Sequence, residues 1–275
     1  MKWLPVPIRP LISLQRTINS VLTGLCQAVA AAVCDMKVWA PICDEAVDET
    51  SLGDKVTKRN KRNKIKLILR DCLRQPSVGI IEENPAKGLV KYAKPAGVIA
   101  SLVPTTNPCL TPAGQIVYAI KARDVMICSP HPRAKVVTNK IIDIIRATLV
   151  REGAPADIIQ GIKDPSINLT KVLMERCDLV IATGGRPMVK SAYSSGTPAY
   201  GSGAGNATVI IDDTCNTPER QKEAAENTRI SKTSDFGSGC SCDGNLVIHE
   251  SIYDTSLRLL WLKALTLPMK KRLRN

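Results

Sequence analysis

Gly97-Val98-Ile99-Ala100-Ser101-Leu102-Val103 decides the fold of this chain. Apart from one serine it is apolar throughout, and it is too short for a globular helix. It runs straight into Pro104-Thr105-Thr106-Asn107-Pro108, where two prolines stop any regular hydrogen-bond ladder. A short apolar run bounded by such breakers reads as a strand buried on both faces. Working outward, a helix is expected over 111–121 and a second apolar strand over 124–128. An amphipathic helix follows over 135–152, with Val137, Ile141, Ile144, Ile145 and Leu149 on one face. Next come helix 168–176, strand 178–182, helix 188–193, strand 207–211 and helix 218–230. The alternation predicts an α/β fold over 95–230, a mostly parallel sheet with helices on both faces. Residues 55–74 read as one basic helix. Residues 1–50, with Pro5, Pro7 and Pro10, carry a weaker helical pattern.

Composition narrows the classes. The 275 residues are 44% hydrophobic but only 3% aromatic, with a single Phe, so the core is aliphatic. The formal net charge of +13 is concentrated. Nine lysines and arginines fall in 55–74, and Lys270, Lys271, Arg272 and Arg274 lie near the end. No aromatic residues interleave them to stack on bases, so a solvated helix face is expected and no nucleic-acid partner. The ten cysteines follow no disulfide framework, which predicts free thiols in a reducing cytoplasm. Arg9 and three prolines interrupt the early apolar run, so no secretory signal is read there. Residues 18–34 are uncharged, yet the stretch is short and holds Asn19, Ser20, Thr23 and Gln27. An amphipathic or buried helix is expected, with no membrane partner.

The chemistry concentrates in a few loops. Ser231-Lys232-Thr233-Ser234-Asp235-Phe236-Gly237-Ser238-Gly239-Cys240-Ser241 sets a thiol after two glycines, between a helix and a strand-like 244–249. Glycines let a backbone approach a substrate closely. Cys240 is the candidate nucleophile; the competing reading is one more buried thiol among ten. Cys240, Cys242 and His249 lack the four-ligand spacing of a zinc site, so no metal is expected. Gly201-Ser202-Gly203-Ala204-Gly205 precedes a strand and so is not a dinucleotide fingerprint. Thr183-Gly184-Gly185 does follow a strand and open a helix, so its amides can face a phosphate. Ligands of parallel sheets bind beyond the carboxyl ends of the strands. Loops 104–108, 129–132 and 183–185 are therefore expected on one rim.

Taken in order over 75–255, several motifs resemble the aldehyde dehydrogenase superfamily in its CoA-acylating branch. They are Val103-Pro104-Thr105-Thr106-Asn107-Pro108, Ser129-Pro130-His131-Pro132-Arg133-Ala134, Ala182-Thr183-Gly184-Gly185, Ser191-Ala192-Tyr193-Ser194-Ser195-Gly196, Gly201-Ser202-Gly203-Ala204-Gly205-Asn206 and the Cys240 loop. The 234–245 loop and Lys91-Tyr92-Ala93-Lys94-Pro95 most resemble sulfoacetaldehyde dehydrogenases. The acetaldehyde dehydrogenase part of bifunctional aldehyde-alcohol dehydrogenases comes next.

The resemblance implies an aldehyde-dehydrogenase-like fold with a Rossmann-type sheet. It implies that Cys240 attacks an aldehyde, and that Asn107 and the Cys240 backbone N–H hold the oxyanion. NAD or NADP would bind with Pro104, Thr105 and Thr106 beside it, its phosphates near Gly184 and Gly185. Ser129, Pro130 and His131 would line the adenosine side, although His131 reads equally well as a simple loop histidine. Hydrolytic relatives carry a glutamate in the segment matching 201–205. Here Ser202 stands nearest that position, so coenzyme A would take the acyl group. A small aldehyde, CoA and further copies of the chain are the implied partners. Asn107, Gly184 and Cys240 are expected around one cleft.

The sequence divides at 230/231, with N-terminal helices and a cofactor domain over 1–230 and the start of a catalytic domain over 231–275. Beyond Asp254 the motif pattern fades. The expectation is a C-terminally truncated chain, its catalytic domain largely missing, its Cys240 unusually exposed and its activity impaired. A catalytically inactive nucleotide-binding remnant is the alternative. Leu257, Leu260, Trp261, Ala264 and Leu265 are expected on one face of a short helix that Pro268 ends, a face that would need a foreign surface to cover it.

Overall fold

The computed structural model describes residues 8–264. The helices are α1 (Ile8–Cys34), α2 (Met36–Thr50), α3 (Lys55–Asn60), α4 (Arg62–Leu73), α5 (Leu110–Ala122), α6 (Lys135–Arg151), α7 (Ile167–Arg176), α8 (Arg186–Tyr193), α9 (Pro218–Thr233) and α10 (Tyr253–Ala264). The strands are β1 (Gly79–Asn84), β2 (Leu89–Ala93), β3 (Val98–Val103), β4 (Val125–Pro130), β5 (Ile159–Gly161), β6 (Leu179–Thr183), β7 (Ala199–Ser202), β8 (Ala207–Ile211) and β9 (Asp243–Ile248). They fall into two compact units, Met1–Ser51 with Lys58–Gly203, and Leu52–Thr57 with Ala204–Asn275.

The first unit is built on a five-stranded sheet in the order β5-β4-β3-β6-β7, every pair parallel. The opening stretch is its central strand. Ile99, Ser101 and Val103 face one side of the sheet and Ala100 and Leu102 the other, and all five are buried. That double burial is why the run lacks polar alternation. On the first side the strands meet α1, α2, α4, α5 and α6 through Val29, Trp39, Ile65, Ile116 and Ile141. On the second side Ala100, Leu102, Val180 and Ala182 pack on Met174 of α7 and Ala192 of α8. Gly97 opens β3 at φ +116, and its N–H reaches Asp124 Oδ1 at 2.9 Å. A Cβ there would lie 2.3 Å from the Asp178 carboxylate, which accepts from the Val98 N–H at 2.7 Å. Glycine is needed because the three central strands are tied together at their starts through this point.

α1 passes the length and composition test for crossing a membrane over Gln15–Cys34. Its Cys26, Val29, Ala30 and Val33, spaced as one helix face, are buried in the core of the first unit. The basic stretch 55–74 is two helices, broken at Lys61. The hairpin β1–β2 is antiparallel and turns through Asn84-Pro85-Ala86-Lys87-Gly88, with Gly88 at φ +63. Sequence reading missed it, as it missed the short strands β5 and β7.

The second unit is a β8–α9–β9 crossover with the two strands parallel, and α10 packs on α9. The single sheet expected over 95–230 therefore ends at Ser202. β8 takes its hydrogen bonds from β9, a strand more than thirty residues on. For the same reason the compact units part at 203/204, ahead of the expected 230/231 division. In α10, Leu257, Leu260 and Trp261 are half-buried and Ser256 is buried, so part of the face expected to need a foreign surface is covered within the unit. Leu265, Pro268 and the final basic run lie outside the described residues.

Candidate active site

The strand order places the candidate loops. From β3 the chain winds outward through β4 and β5, then returns across β3 to β6 and β7. α5 and α6 lie on one face, α7 and α8 on the other, so the carboxyl ends of β3 and β6 flank a topological switch point. Register sets Val103 beside Pro130 and Leu102 beside Ala182, so the loops after β3, β4 and β6 leave the sheet at one level.

After β3, Pro104, Thr105, Thr106 and Asn107 are half-buried, and Pro108 and Cys109 are buried. The Asn107 carbonyl accepts from Thr111 N at 3.1 Å, which ties the residue to the first turn of α5. Two lysines reach this loop. Buried Lys58 donates from Nζ to the Thr106 carbonyl at 2.5 Å. Lys61 donates from Nζ to Asn107 Oδ1 at 2.7 Å. Sequence reading placed both on a solvated basic face; their three-residue spacing was the available signal.

At the end of β4, Ser129 and Pro130 are buried. The Ser129 hydroxyl shares a 2.9 Å hydrogen bond with Thr170 of α7. His131 is exposed, and its N–H donates to the Val103 carbonyl at 3.1 Å. Its Nδ1 accepts from Arg133 N at 3.2 Å, capping the turn Pro132–Ala134. Desolvation first, and the Arg133 charge second, hold its imidazole below the usual histidine range. The cap needs that neutral ring, because a protonated Nδ1 has no lone pair to accept with.

The unfolded chain binds a proton near pH 6.5 that the folded loop resists, so stability falls as pH drops through that value toward the folded pKa. His131→Asn keeps a capping oxygen and removes the titration. Melting temperatures over pH 7.5 to 4.5 should therefore decline less steeply for the variant; parallel curves would refute the assignment.

After β6, Gly184 and Gly185 lead into α8. Gly184 N donates to the Ser202 carbonyl at 3.0 Å. Gly185 is the N-cap at φ −69, and no side chain caps the helix. Added Cβ atoms would meet nothing closer than 3.7 Å at either glycine, so neither is demanded by packing. They leave the amides of a helix start uncovered beside Arg186, an arrangement that suits an anion. An open groove of about 550 Å³ runs along α6 past Lys135, Asn139, Asp143 and Lys163.

The second unit carries the loop of Cys240, the candidate nucleophile. Among the ten cysteines Cys240 is the exposed one; Cys34, Cys215 and Cys242 are intermediate and the rest buried. Burial pushes the Cys128 thiol up to about 12, which silences it as a nucleophile at neutral pH. The Cys240 loop is braced on its N-terminal side by Asp235, whose buried carboxylate accepts from Asp54 N at 3.0 Å and from Ser238 Oγ at 2.8 Å. Asp235 and Phe236 both sit in the left-handed region, at φ +53 and +52. On the other side Gly205 presses on the loop: a Cβ there would lie 2.3 Å from the Cys240 carbonyl oxygen. Gly205 thus meets Cys240 by backbone approach. Cys242 Sγ donates to the Gly237 carbonyl at 3.7 Å, and His249 Nδ1 meets Ser251 Oγ at 2.9 Å. Among the described residues no three His, Cys, Asp or Glu side chains are grouped as metal ligands would be.

Comparison with known proteins finds similar chains. Sulfoacetaldehyde dehydrogenase of an Acholeplasma species is 43% identical over 233 residues, covering 84% of this chain and 47% of that protein. The crystal structure of an acetylating aldehyde dehydrogenase from Geobacillus thermoglucosidasius matches at TM-score 0.81 and 31% identity, over 90% of this chain and 55% of that one. Propionaldehyde dehydrogenase from Rhodopseudomonas palustris, solved with bound propionyl-CoA, matches at TM-score 0.76 and 25% identity, over 90% of this chain and 55% of its own. The chain spans about half the length of the curated sulfoacetaldehyde dehydrogenases it matches. The profile described as "Aldehyde dehydrogenase family" matches residues 64–275. That match takes in both units and runs past Asp254, where the motifs alone cease to be recognisable, so the chain belongs to the aldehyde dehydrogenase family.

Proposed function

We propose that this chain carries out, or contributes, the chemistry of a CoA-acylating aldehyde dehydrogenase, with Cys240 as nucleophile and Asn107 as an oxyanion donor. The observation that carries the reading is the exposed Cys240 thiol on a loop set by Asp235 and Gly205, in a chain whose 201–205 segment holds no acid. In the reaction Cys240 Sγ bonds to the aldehyde carbon, and the carbonyl electron pair moves onto oxygen. Asn107 Nδ2 and the Cys240 N–H donate to that oxyanion, each worth a few kcal/mol in the transition state. NAD(P)+, when bound, supplies the acceptor for the hydrogen and electron pair that leave the carbon. The product on Cys240 is a thioester. With no carboxylate in the 201–205 segment to activate water, the thiol of CoA attacks that thioester and the Cys240 thiolate leaves.

The residues present fit a dinucleotide at one point in particular. The start of α8 has uncapped amides, two glycines that hold no one off, and Arg186 in its first turn. Gly184, Gly185 and Arg186 would hold the phosphates, while Pro104, Thr105, Thr106 and the exposed His131 would flank the rest. The ten free thiols suit a cytoplasmic protein, and assembly with further copies belongs to the same proposal.

Calorimetric titration of the folded chain with NAD+ and NADP+ tests the cofactor claim, and CoA-dependent dinucleotide reduction with short aldehydes tests turnover. Binding of neither dinucleotide would refute the first, and binding without turnover would favour the nucleotide-binding reading. Gly185→Asp sharpens the test. An aspartate N-cap at φ −69 would accept from the Met188 N–H, Pro187 having none to offer, and would set a negative charge where the phosphate goes. Dinucleotide affinity should fall by about 10-fold or more, while helix stability holds or rises. Unchanged affinity would move the phosphates elsewhere.

A further inference from the structure

We infer that Lys61 is a positioning residue, which turns the Asn107 carboxamide so that its NH2 group is the end presented to the reacting oxygen. The inference rests on the proposed role of Asn107 as oxyanion donor. The two ends of a carboxamide are nearly the same size, so packing alone selects weakly between them. An oxyanion site works with only one of the two orientations, since an amide oxygen turned inward would repel the charge it should hold.

Lys61 makes the selection by chemistry. Its Nζ lies 2.7 Å from Asn107 Oδ1. An ammonium has three donors and no acceptor, so it takes the oxygen and refuses the NH2. The positive charge also polarises the amide, which makes the opposite N–H a stronger donor.

The backbone that carries the lysine is held by groups of the core. Trp39 Nε1 donates to the Arg59 carbonyl at 2.8 Å, and Cys43 Sγ donates to the Lys58 carbonyl at 3.4 Å. Trp39 and Cys43 are 1% and 2% exposed, so the end of α3 is pinned to the core of α2. Lys61 N in turn donates to the Lys58 carbonyl at 3.2 Å. Lys58, 3% exposed, fixes the neighbouring Thr106 carbonyl from the same helix end. Two consecutive residues of the loop, Thr106 and Asn107, are thus gripped by two lysines three positions apart. A surface lysine making an incidental contact would need none of this support.

The test uses Lys61→Met, Lys61→Arg, Asn107→Ala and the Lys61→Met/Asn107→Ala double variant in the full chain. With asparagine labelled by ¹⁵N, the side-chain NH2 pair missing from Asn107→Ala identifies Asn107. In the parent that pair should be sharp and shifted from the position of a solvated amide. In Lys61→Met it should move toward that position and broaden, and Lys61→Arg, which still donates, should restore it. A pair unmoved by Lys61→Met overturns the inference whatever the turnover. In the reduction assay Lys61→Met should lower kcat about 10-fold to 100-fold with KM for aldehyde little changed, and Lys61→Arg should recover most of it. The double variant should be no worse than Asn107→Ala alone. If Asn107→Ala lowers kcat and Lys61→Met does not, the inference fails and the donor role stands. If Lys61→Met moves the resonance and Asn107→Ala leaves kcat unchanged, the donor role fails while the positioning contact stands.

Discussion

Cys240→Ser is expected to remove CoA-dependent aldehyde oxidation, by at least about 10³-fold in kcat, because the covalent step loses its nucleophile. A serine hydroxyl at neutral pH is far less ionised than a thiol, and an oxygen ester would hand its acyl group to CoA far more slowly. Dinucleotide binding and the melting temperature should stay at the parent values, since Cys240 is exposed and fills no cavity. Cys242→Ser is the internal control. Its sulfur faces the Gly237 carbonyl, a partner a hydroxyl serves as well, so turnover should remain within about 2-fold. Turnover surviving in Cys240→Ser and lost in Cys242→Ser would transfer the nucleophile to Cys242. Turnover surviving in both would place the chemistry outside this loop.

Gly205→Ala is expected to damage the same reaction from a residue with no functional group. Its Cβ would sit 2.3 Å from the Cys240 carbonyl oxygen; the Cβ is fixed by its own backbone and the oxygen belongs to backbone, so neither can swing aside. One strand of chain must shift. Asp235 already ties the far side of the loop to Asp54 and Ser238, so the displacement falls on Cys240 itself. A stability loss of about 1–3 kcal/mol follows from overpacking, and a shift near 1 Å at the nucleophile costs about 10²-fold in turnover. Gly203→Ala, whose Cβ would meet nothing nearer than 4.0 Å, should change neither by a measurable amount. Equal effects of the two substitutions would mean that the segment acts through general flexibility and not through contact with Cys240.

Legibility in the sequence followed burial. β3, β4 and β6 were recognisable because strands covered on two faces must be apolar at every position, and α6 because its core face repeats with helical period. β7 was not recognisable: Ala199-Tyr200-Gly201-Ser202 is a strand by its pairing with β6 and has little apolar signal of its own. β5 is three residues long, too short for a period. The β1–β2 hairpin leaves Leu89, Val90 and Tyr92 exposed, so no buried face imposed an alternation on it. Of the proposed site, the candidates that the sequence offers are those whose identity is the chemistry: a thiol in a glycine loop, an asparagine after a strand, glycines before a helix. Lys58 and Lys61 could not, since a lysine's role lies at the end of a long side chain and depends on what the fold brings there.

By itself, then, the amino-acid order determined that the doubly buried segments β3, β4 and β6 are strands, that the long periodic segments are helices, and that these strands run parallel. Those properties are local, or follow from the period of apolar residues along one segment. Only the tertiary structure decided that β8 leaves the main sheet for β9, that Gly205 abuts the Cys240 carbonyl and that Lys61 caps the Asn107 oxygen. Each joins residues more than thirty positions apart. Such contacts are chosen by the packing of the whole core, and no spacing within a single segment encodes them.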